Sequence, residues 1–189
     1  YAIQGKDSTC QIFVYSPGER EGLHLAFLGD DEKWHEVGQL CASDYGPWGA
    51  EKRMFDPFVT KANDGTWRAV WAVNSTSPVF AAAYSEDLIT WRPQDYPVVR
   101  EKGIHQPVVY QMGDGSFDIY FKTAKGKRYV QATEDFRHFV EDSLASEADD
   151  ILWQVDNAKV NGKSYKGNAF EVPAMHLNYI RSWFAALKK

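Results

Sequence analysis

Short runs in which apolar and polar residues alternate recur through the first 140 residues, and they predict a protein built of β-strands. Residues 11–15 and 23–27 flank a segment rich in Gly, Pro and Glu, which predicts a hairpin. After a charged turn, residues 34–37 predict a short outer strand. Residues 40–53 show no such alternation, and the sequence Gly46-Pro-Trp-Gly49 within them is typical of a loop.

Two later segments repeat one order of strands and turns at a constant offset of 50 residues. Asp56-Pro-Phe-Val59 aligns with Gln106-Pro-Val-Val109, and Asp64-Gly65 aligns with Asp114-Gly115. The Asp-Gly pairs predict tight turns between strands. The predicted strands of the earlier unit are 57–60, 66–73, 80–84 and a short one from Trp91. Those of the later unit are 107–110, 117–122, 128–132 and a short one at Phe139.

A second repeated motif ends each unit. Ala83-Tyr-Ser-Glu-Asp-Leu-Ile-Thr-Trp91 returns as Ala132-Thr-Glu-Asp-Phe-Arg-His-Phe139, and residues 26–34 are a looser copy. The Ser/Thr-Glu-Asp part predicts a turn held by side-chain to backbone hydrogen bonds, and the final aromatic residue folds back over the sheet. A period near 50 residues indicates stacked small sheets such as propeller blades. We therefore predict an all-β, propeller-like fold of three to four antiparallel four-stranded blades over residues 1–150.

The pattern changes after residue 140. Residues 142–150 form an acidic linker, and Asn161-Gly162 between residues 155–160 and 163–165 predicts a type I′ hairpin. From residue 174 to 187 the spacing becomes helical, with Pro173 in the first turn and an apolar stripe formed by Leu177, Ile180, Phe184 and Leu187. We predict that residues 151–189 form a closing hairpin and a C-terminal helix that cover exposed sheet edges. They belong to the same domain or form a junction to a further one.

Composition narrows the function classes. The chain has 189 residues, 15% aromatic residues and a net charge of −5, and no run of Lys or Arg is long enough to follow a phosphate backbone. The densest basic sequence, Lys125-Gly-Lys-Arg128, predicts a turn. No apolar run is long enough to span a membrane. Because the sequence begins at Tyr1 rather than Met, we expect that any export signal has been removed.

The cysteine content predicts no metal site. Cys10 and Cys41 could form a disulfide, although two buried thiols are the favoured prediction. Without further ligands at suitable spacing they cannot bind zinc, and we predict no metal and no cofactor.

The order of a hairpin, Phe55-Asp-Pro-Phe-Val59, Asp-Gly and Ala-x-Ser-x-Asp-Leu-x-x-Trp resembles the five-bladed β-propeller glycoside hydrolases, family 43 and its relatives. The resemblance covers roughly residues 10–140. It implies hydrolysis or binding of arabinose- and xylose-containing plant polysaccharides, and a secreted or periplasmic protein. Five blades of about 50 residues would need about 250 residues. We therefore expect a partial or degenerate copy, or one domain of a longer enzyme.

The resemblance also implies three carboxylates near the propeller axis. The general base is the Asp of an Asp-Pro, which matches Asp56. At the second position this sequence has Gln106, which cannot transfer a proton but can bind a sugar hydroxyl. For the general acid the candidate is Glu171, whose other explanation is a favourable interaction with the following helix N-terminus. An inverting acid and base lie about 6.5–9.5 Å apart, so that water fits between them.

Four further residues are candidates for lining the sugar subsite: Trp48, Phe55, His105 and Gln106. Trp48 could stack on a sugar ring or plug the core, and His105 could donate to a hydroxyl or serve only its own loop. Asp56 could equally be a residue that starts a strand and accepts turn hydrogen bonds.

Two functions follow from these residues, a glycosidase and a non-catalytic carbohydrate-binding or structural module of a larger multidomain glycosidase. A second carboxylate within about 10 Å of Asp56 across a cleft would favour the enzyme. An Asp56 held by backbone amides, with no cleft, would favour the module.

Overall fold

The predicted strands assemble into three sheets. The computed structural model describes residues 8–146 and 153–188. Its strands are β1 (Thr9–Tyr15), β2 (Leu23–Leu28), β3 (Trp34–Cys41), β4 (Phe55–Lys61), β5 (Trp67–Ala72), β6 (Phe80–Ser85), β7 (His105–Gln111), β8 (Phe117–Lys122), β9 (Arg128–Thr133), β10 (Ser143–Leu144), β11 (Asp156–Val160) and β12 (Lys163–Pro173). A 3-10 turn spans Gly49–Glu51, and the helix α1 spans Ala174–Leu187. The all-β prediction with a C-terminal helix is confirmed.

The first sheet joins the two ends of the chain. Its strand order is β3-β2-β1-β12-β11, and β12 pairs antiparallel with β1 from Thr9 opposite Pro173 to Tyr15 opposite Gly167. One parallel bridge between Val160 and Trp34 closes this sheet into a small barrel. Closing a sheet removes the exposed edges at which another chain could pair. The C-terminal hairpin is therefore built into the first sheet rather than laid over it.

The second and third sheets repeat one design. Their strand orders are β4-β5-β6 and β7-β8-β9-β10. Asp56 and Gln106, at the same position of the repeat, both have left-handed φ angles of 47° and 49° and both lie in β-bulges. The predicted fourth strands at Trp91 and Phe139 are each reduced to a single bridge, with Ser85 and Thr133, and β10 is the fourth strand of the third sheet instead. The offset of 50 residues thus corresponds to a repeated backbone.

The motif that ends each unit forms the predicted turn. The Ser85 hydroxyl accepts from the Leu88 N–H at 2.9 Å and donates to the Thr90 carbonyl at 2.6 Å. In the later copy the Thr133 hydroxyl accepts from the Phe136 N–H at 2.9 Å and donates to the His138 carbonyl at 2.7 Å. The same residue types therefore make the same hydrogen bonds, which is why this motif repeats.

The second sheet contributes to two hydrophobic cores. Trp67 and Trp71 of β5 pack toward the first sheet, where they meet Leu25 and other buried residues. Val70 of the same strand packs toward the third sheet, where Phe121 is buried. This alternation along one strand places a different core on each face of the second sheet.

Helix α1 packs on the first core through two buried residues, Leu177 and Ile180. Phe184 contacts the first sheet at Gly38, which has no side chain to obstruct the ring. Leu187, the last residue of the helix, was predicted to belong to the apolar stripe, but its side chain is 63% exposed and does not pack on the sheet. Among the described residues, no helix is long and apolar enough to cross a membrane.

Two other predictions concern the connections. The Asn161-Gly162 turn has positive φ at both residues, 52° and 79°, as a type I′ hairpin requires. The acidic linker begins with the buried Asp142 and the short β10, and the predicted boundary after residue 150 lies outside the described residues.

Cys10 and Cys41 are free thiols. Desolvation raises the pKa of both, and with the added effect of the Asp44 charge it brings the pKa of Cys41 to about 12.

Candidate functional site

A cleft of about 980 Å³ opens where β4 and β7 begin. Its walls come from the loop before β4, the start of β4, the end of β5 with the loop that follows it, and two loops of the third sheet. The residues that line it are Tyr45, Gly46, Pro47, Ala50, Glu51, Arg53, Phe55, Asp56, Ala72, Val73, Asn74, Ser75, Thr76, Ser77, Gly103, Ile104, His105 and Ala124. A concave site with a few polar groups on an apolar wall is the usual form of a small-molecule site.

Asp56, the predicted general base, lines this cleft. Its Oδ2 atom accepts a hydrogen bond from the backbone N–H of Gln106 at 3.1 Å, which connects β4 to β7. Among the described residues this is the hydrogen bond that its carboxylate makes, so Oδ1 stays available to a ligand. Asp56 therefore shows one feature expected of the enzyme, a position in a cleft, and one expected of the module, a hydrogen bond from a backbone amide.

Gln106, also a candidate for the sugar subsite, is not among the residues that line the cleft. Its side-chain Oε1 atom accepts from the Lys122 ammonium at 2.9 Å. Where the propeller hydrolases would place a second carboxylate, this chain therefore has a neutral amide bound to a cation. The Gln106 amide cannot transfer a proton as a carboxyl group at this position would.

Phe55 and His105, two of the candidates for the sugar subsite, both line the cleft. The His105 Nδ1 atom lies 3.0 Å from the Gly103 carbonyl oxygen. A carbonyl can only accept, so Nδ1 carries the proton and neutral His105 presents Nε2 as an acceptor. The imidazole serves its own loop through one nitrogen and leaves the other for a ligand.

Trp48 is 70% exposed and does not plug the core. It lies between Pro47 and Ala50, which line the cleft, although its own ring is not part of the wall. Its backbone N–H donates to the Glu51 carboxylate at 3.4 Å, at the start of the 3-10 turn. The ring is therefore free for stacking beside the cleft.

Glu171 lies outside the cleft. It sits on β12 opposite Gln11, it is exposed, and it accepts a hydrogen bond from the Thr9 hydroxyl. The carboxylate that shares the cleft with Asp56 is instead Glu51. The structure does not bring the predicted acid and base together, and it offers a different second carboxylate.

Other lining residues were not predicted. Glu51, Arg53 and Tyr45 come from the irregular segment before β4, and residues 74–77 form a loop of amide and hydroxyl side chains. The Asn74 side chain accepts from the N–H groups of Thr76 and Ser77 at 2.9 and 2.7 Å. An Asn followed by Ser and Thr does indicate such a turn in a sequence, but it does not indicate that the turn faces a site. Among the described residues, no cluster of His, Cys, Asp and Glu could hold a metal ion.

Comparison with known proteins supports the fold. No family model and no curated protein matches this sequence. The structure of a presumed exo-β-1,3-galactanase from Bifidobacterium bifidum S17 aligns with a TM-score of 0.52 and 15% identity, over 91% of this chain and 66% of that protein. A Bacteroides ovatus protein, GH43B of a xyloglucan locus, aligns with a TM-score of 0.48 and 14% identity, over 86% of this chain and 36% of that protein. That score is too low to support an argument. The first alignment confirms the predicted resemblance to the propeller glycoside hydrolases at the level of the fold.

Proposed function

We propose that this chain binds arabinose- or xylose-containing plant polysaccharide in the cleft at Asp56. The observation that carries the proposal is one cleft that holds a carboxylate oxygen, the acceptor nitrogen of His105 and the amide and hydroxyl groups of residues 74–77. A sugar presents hydroxyls that both donate and accept, which such a mixed set of groups can satisfy. The exposed Trp48 ring supplies a face on which a sugar ring can stack.

Binding is a better match to the geometry than hydrolysis. Gln106 replaces the second carboxylate, and Glu171 lies away from the cleft. The chain spans 66% of the galactanase length, so action within a longer glycosidase, beside further domains, is part of the proposal. Secretion or transfer to the periplasm belongs to it as well, because a polymer of this kind is met outside the cytoplasm.

Hydrolysis is the second candidate, and the shared position of Glu51 and Asp56 in one cleft favours it. In that mechanism Asp56 would activate a water molecule and Glu51 would protonate the leaving oxygen. Such a pair works when acid and base are separated by about 6.5–9.5 Å.

A titration of arabino- and xylo-oligosaccharides by calorimetry or NMR tests the binding function. We expect Asp56→Ala to weaken binding about 10-fold or more, because a hydrogen bond to a charged group contributes about 1.5–3 kcal/mol. We expect Trp48→Ala to weaken it about 2- to 10-fold through lost stacking. Asp30→Ala and Trp183→Ala, which change the same residue types outside the cleft, should leave binding unchanged.

Three results separate the candidates. Absence of oligosaccharide binding by the unmodified chain would overturn the proposal. Binding without release of sugar from aryl arabinofuranosides or xylosides supports the binding role. Turnover that is lost in both Asp56→Asn and Glu51→Gln would establish the hydrolase instead.

A further inference from the structure

The third sheet presents a basic edge beside the cleft. Residues 100–128 contain six Lys and Arg against three Asp and Glu, within a chain whose net charge is −5. The strand register brings part of this charge together, because His105 on β7 pairs with Lys122 on β8, and Lys122 pairs with Arg128 on β9. One row across the sheet therefore leads from a cleft residue to two cations.

Two loops extend this edge along the cleft wall. Gly103 and Ala124 both line the cleft, and they lie so close that a Cβ atom on Gly103 would come within 2.5 Å of the Ala124 Cβ. Lys102 directly precedes the first of these residues, and Lys125 directly follows the second. Lys127 lies in the same turn, whose Thr123 N–H bonds to the Lys127 carbonyl at 3.0 Å.

Five of these six cations form no ion pair with a carboxylate within the described part of the chain. Arg100 is bound by Glu141 and Asp142, and the Glu101 carboxylate accepts from the Tyr129 hydroxyl. By contrast, no ion pair with a carboxylate forms at Lys102, Lys122, Lys125, Lys127 or Arg128 among residues 8–146 and 153–188. Like charges held together near a concave surface create a local positive potential that attracts an anion.

The acidic groups of the cleft belong to the other wall. Glu51 comes from the loop before β4, and Asp56 from β4 itself, whereas Arg53 of this wall is paired with Glu19 at 3.2 Å. A ligand with one anionic group would therefore direct it to the third sheet and keep neutral hydroxyls near Asp56.

We propose that the cleft recognises a saccharide bearing an anionic group, a uronate carboxylate or a sulfate ester. The edge formed by Lys102, Lys125, Lys127 and Arg128 binds that group, whereas the Lys122 ammonium is held by the Gln106 side chain. This inference depends on the proposed binding of a saccharide in the cleft and adds its chemical class. The charge discriminates between saccharides, while the uncharged groups hold the sugar rings.

The test compares matched ligands on the full chain. Xylo-oligosaccharides of one length, without a branch, with one uronate branch and with one sulfate ester, are titrated at low and high NaCl. We expect at least one charged ligand to bind about 5-fold or more tighter than the neutral one at low salt. This advantage should shrink at high salt, because ions screen exposed charges over about 10 Å at 0.1 M. The charged ligand whose affinity exceeds that of the neutral ligand identifies the anionic group.

A charge-reversal pair assigns the effect to the basic edge. Lys102→Glu with Lys125→Glu should weaken binding of the charged ligand about 10-fold, which corresponds to about 1.4 kcal/mol of binding free energy. The same double substitution should change the affinity for the neutral ligand less than 2-fold. Lys33→Glu with Lys159→Glu makes the same change in net charge away from the third sheet, and it should leave the binding of both ligands unaffected. Equal affinity for neutral and charged ligands would overturn the inference while leaving the proposed function intact. An equal loss in the control pair would overturn it too, and failure to bind any of the three ligands would overturn both the inference and the proposed function.

Discussion

At the scale of single residues, one backbone position carries different chemistry in two units of the repeat. Asp56 and Gln106 share a left-handed φ, a β-bulge and a following proline, and they are joined by a hydrogen bond. A non-glycine residue in that conformation is strained and is retained where the surroundings hold it. The repeat therefore preserves the backbone of the cleft, while the side chain at each position decides between carboxylate and amide chemistry.

The turn after β9 contains an ionisable pair whose pH response can be predicted. The Asp135 carboxylate lies 2.7 Å from the His138 Nδ1 atom, and this hydrogen bond raises the pKa of His138 and lowers the pKa of Asp135. The His138 contribution to stability is therefore complete below the ordinary pKa of histidine and is lost as the pH rises through the raised value. The Asp135 contribution runs the other way, since it is lost as the pH falls through the lowered value.

An NMR titration of the His138 ring checks this pair. We expect its midpoint to lie above that of ordinary histidine, and Asp135→Asn to move the midpoint down toward the ordinary value. A midpoint that does not respond to Asp135→Asn would show that the contact is absent in solution.

At the scale of elements, the pairing of β12 with β1 depends on a residue without a side chain. Gly167 of β12 packs so tightly against β1 that an added Cβ atom would overlap the Val14 carbonyl oxygen and lie 2.8 Å from the Phe13 ring. Overpacking usually costs about 1–3 kcal/mol. We expect Gly167→Ala to lower the free energy of unfolding by at least the upper end of that range, about 3 kcal/mol, because the backbone it would meet cannot move aside as a side chain can.

Chemical denaturation of the variant measures this cost, and Gly113→Ala is its matched control. Gly113 has open space around its Cα atom, so an alanine there should change stability by less than about 0.5 kcal/mol. If both variants unfold at the same denaturant concentration as the unmodified chain, β12 does not pack on β1 as described.

Elements whose signal is local follow from the sequence, and those that depend on distant partners do not. The Asn161-Gly162 turn, the repeated Ser/Thr-Glu-Asp turns and α1 each contain their own defining residues. The pairing of β12 with β1 joins Thr9 to Pro173, and alternation along either strand does not specify so distant a partner. Leu187 illustrates the same limit, because helical spacing places it on the apolar stripe but not within reach of the sheet.

The same distinction explains the candidate site. The positions of Asp56, Phe55 and His105 follow from the repeat of Asp56-Pro57 as Gln106-Pro107, which marks where two strands begin. Glu51 and Arg53 line the cleft from an irregular segment, in which no periodicity indicates direction. Glu171 lies elsewhere because β12 pairs with β1 in the first sheet, where Glu171 is opposite Gln11.

At the scale of the whole molecule, the second sheet couples the other two. Its Trp71 is buried with the first sheet and α1, and its Phe80 is buried with the third sheet. Arg68 adds a polar link, since its guanidinium lies 4.6 Å from the Tyr84 ring and 4.9 Å from the Phe117 ring of the third sheet. Strands β4 and β12 are connected as well, because the Val59 N–H donates a hydrogen bond to the Asn168 side-chain oxygen at 2.9 Å. Loss of either core therefore exposes a face of the sheet that supports the other.

This coupling predicts one cooperative unfolding unit. Leu25→Ala in the first core and Phe121→Ala in the second should each cost about 2–5 kcal/mol, because both side chains are buried. If the sheets unfold together, either variant lowers the hydrogen-exchange protection of amides in both β1 and β8 by a similar free energy. Val98→Ala, at a side chain that is 70% exposed, should leave both strands unchanged. Protection lost only in the strand nearest the substitution would mean that the two cores are independent, and the cleft between β4 and β7 would then lie beside a separately opening unit.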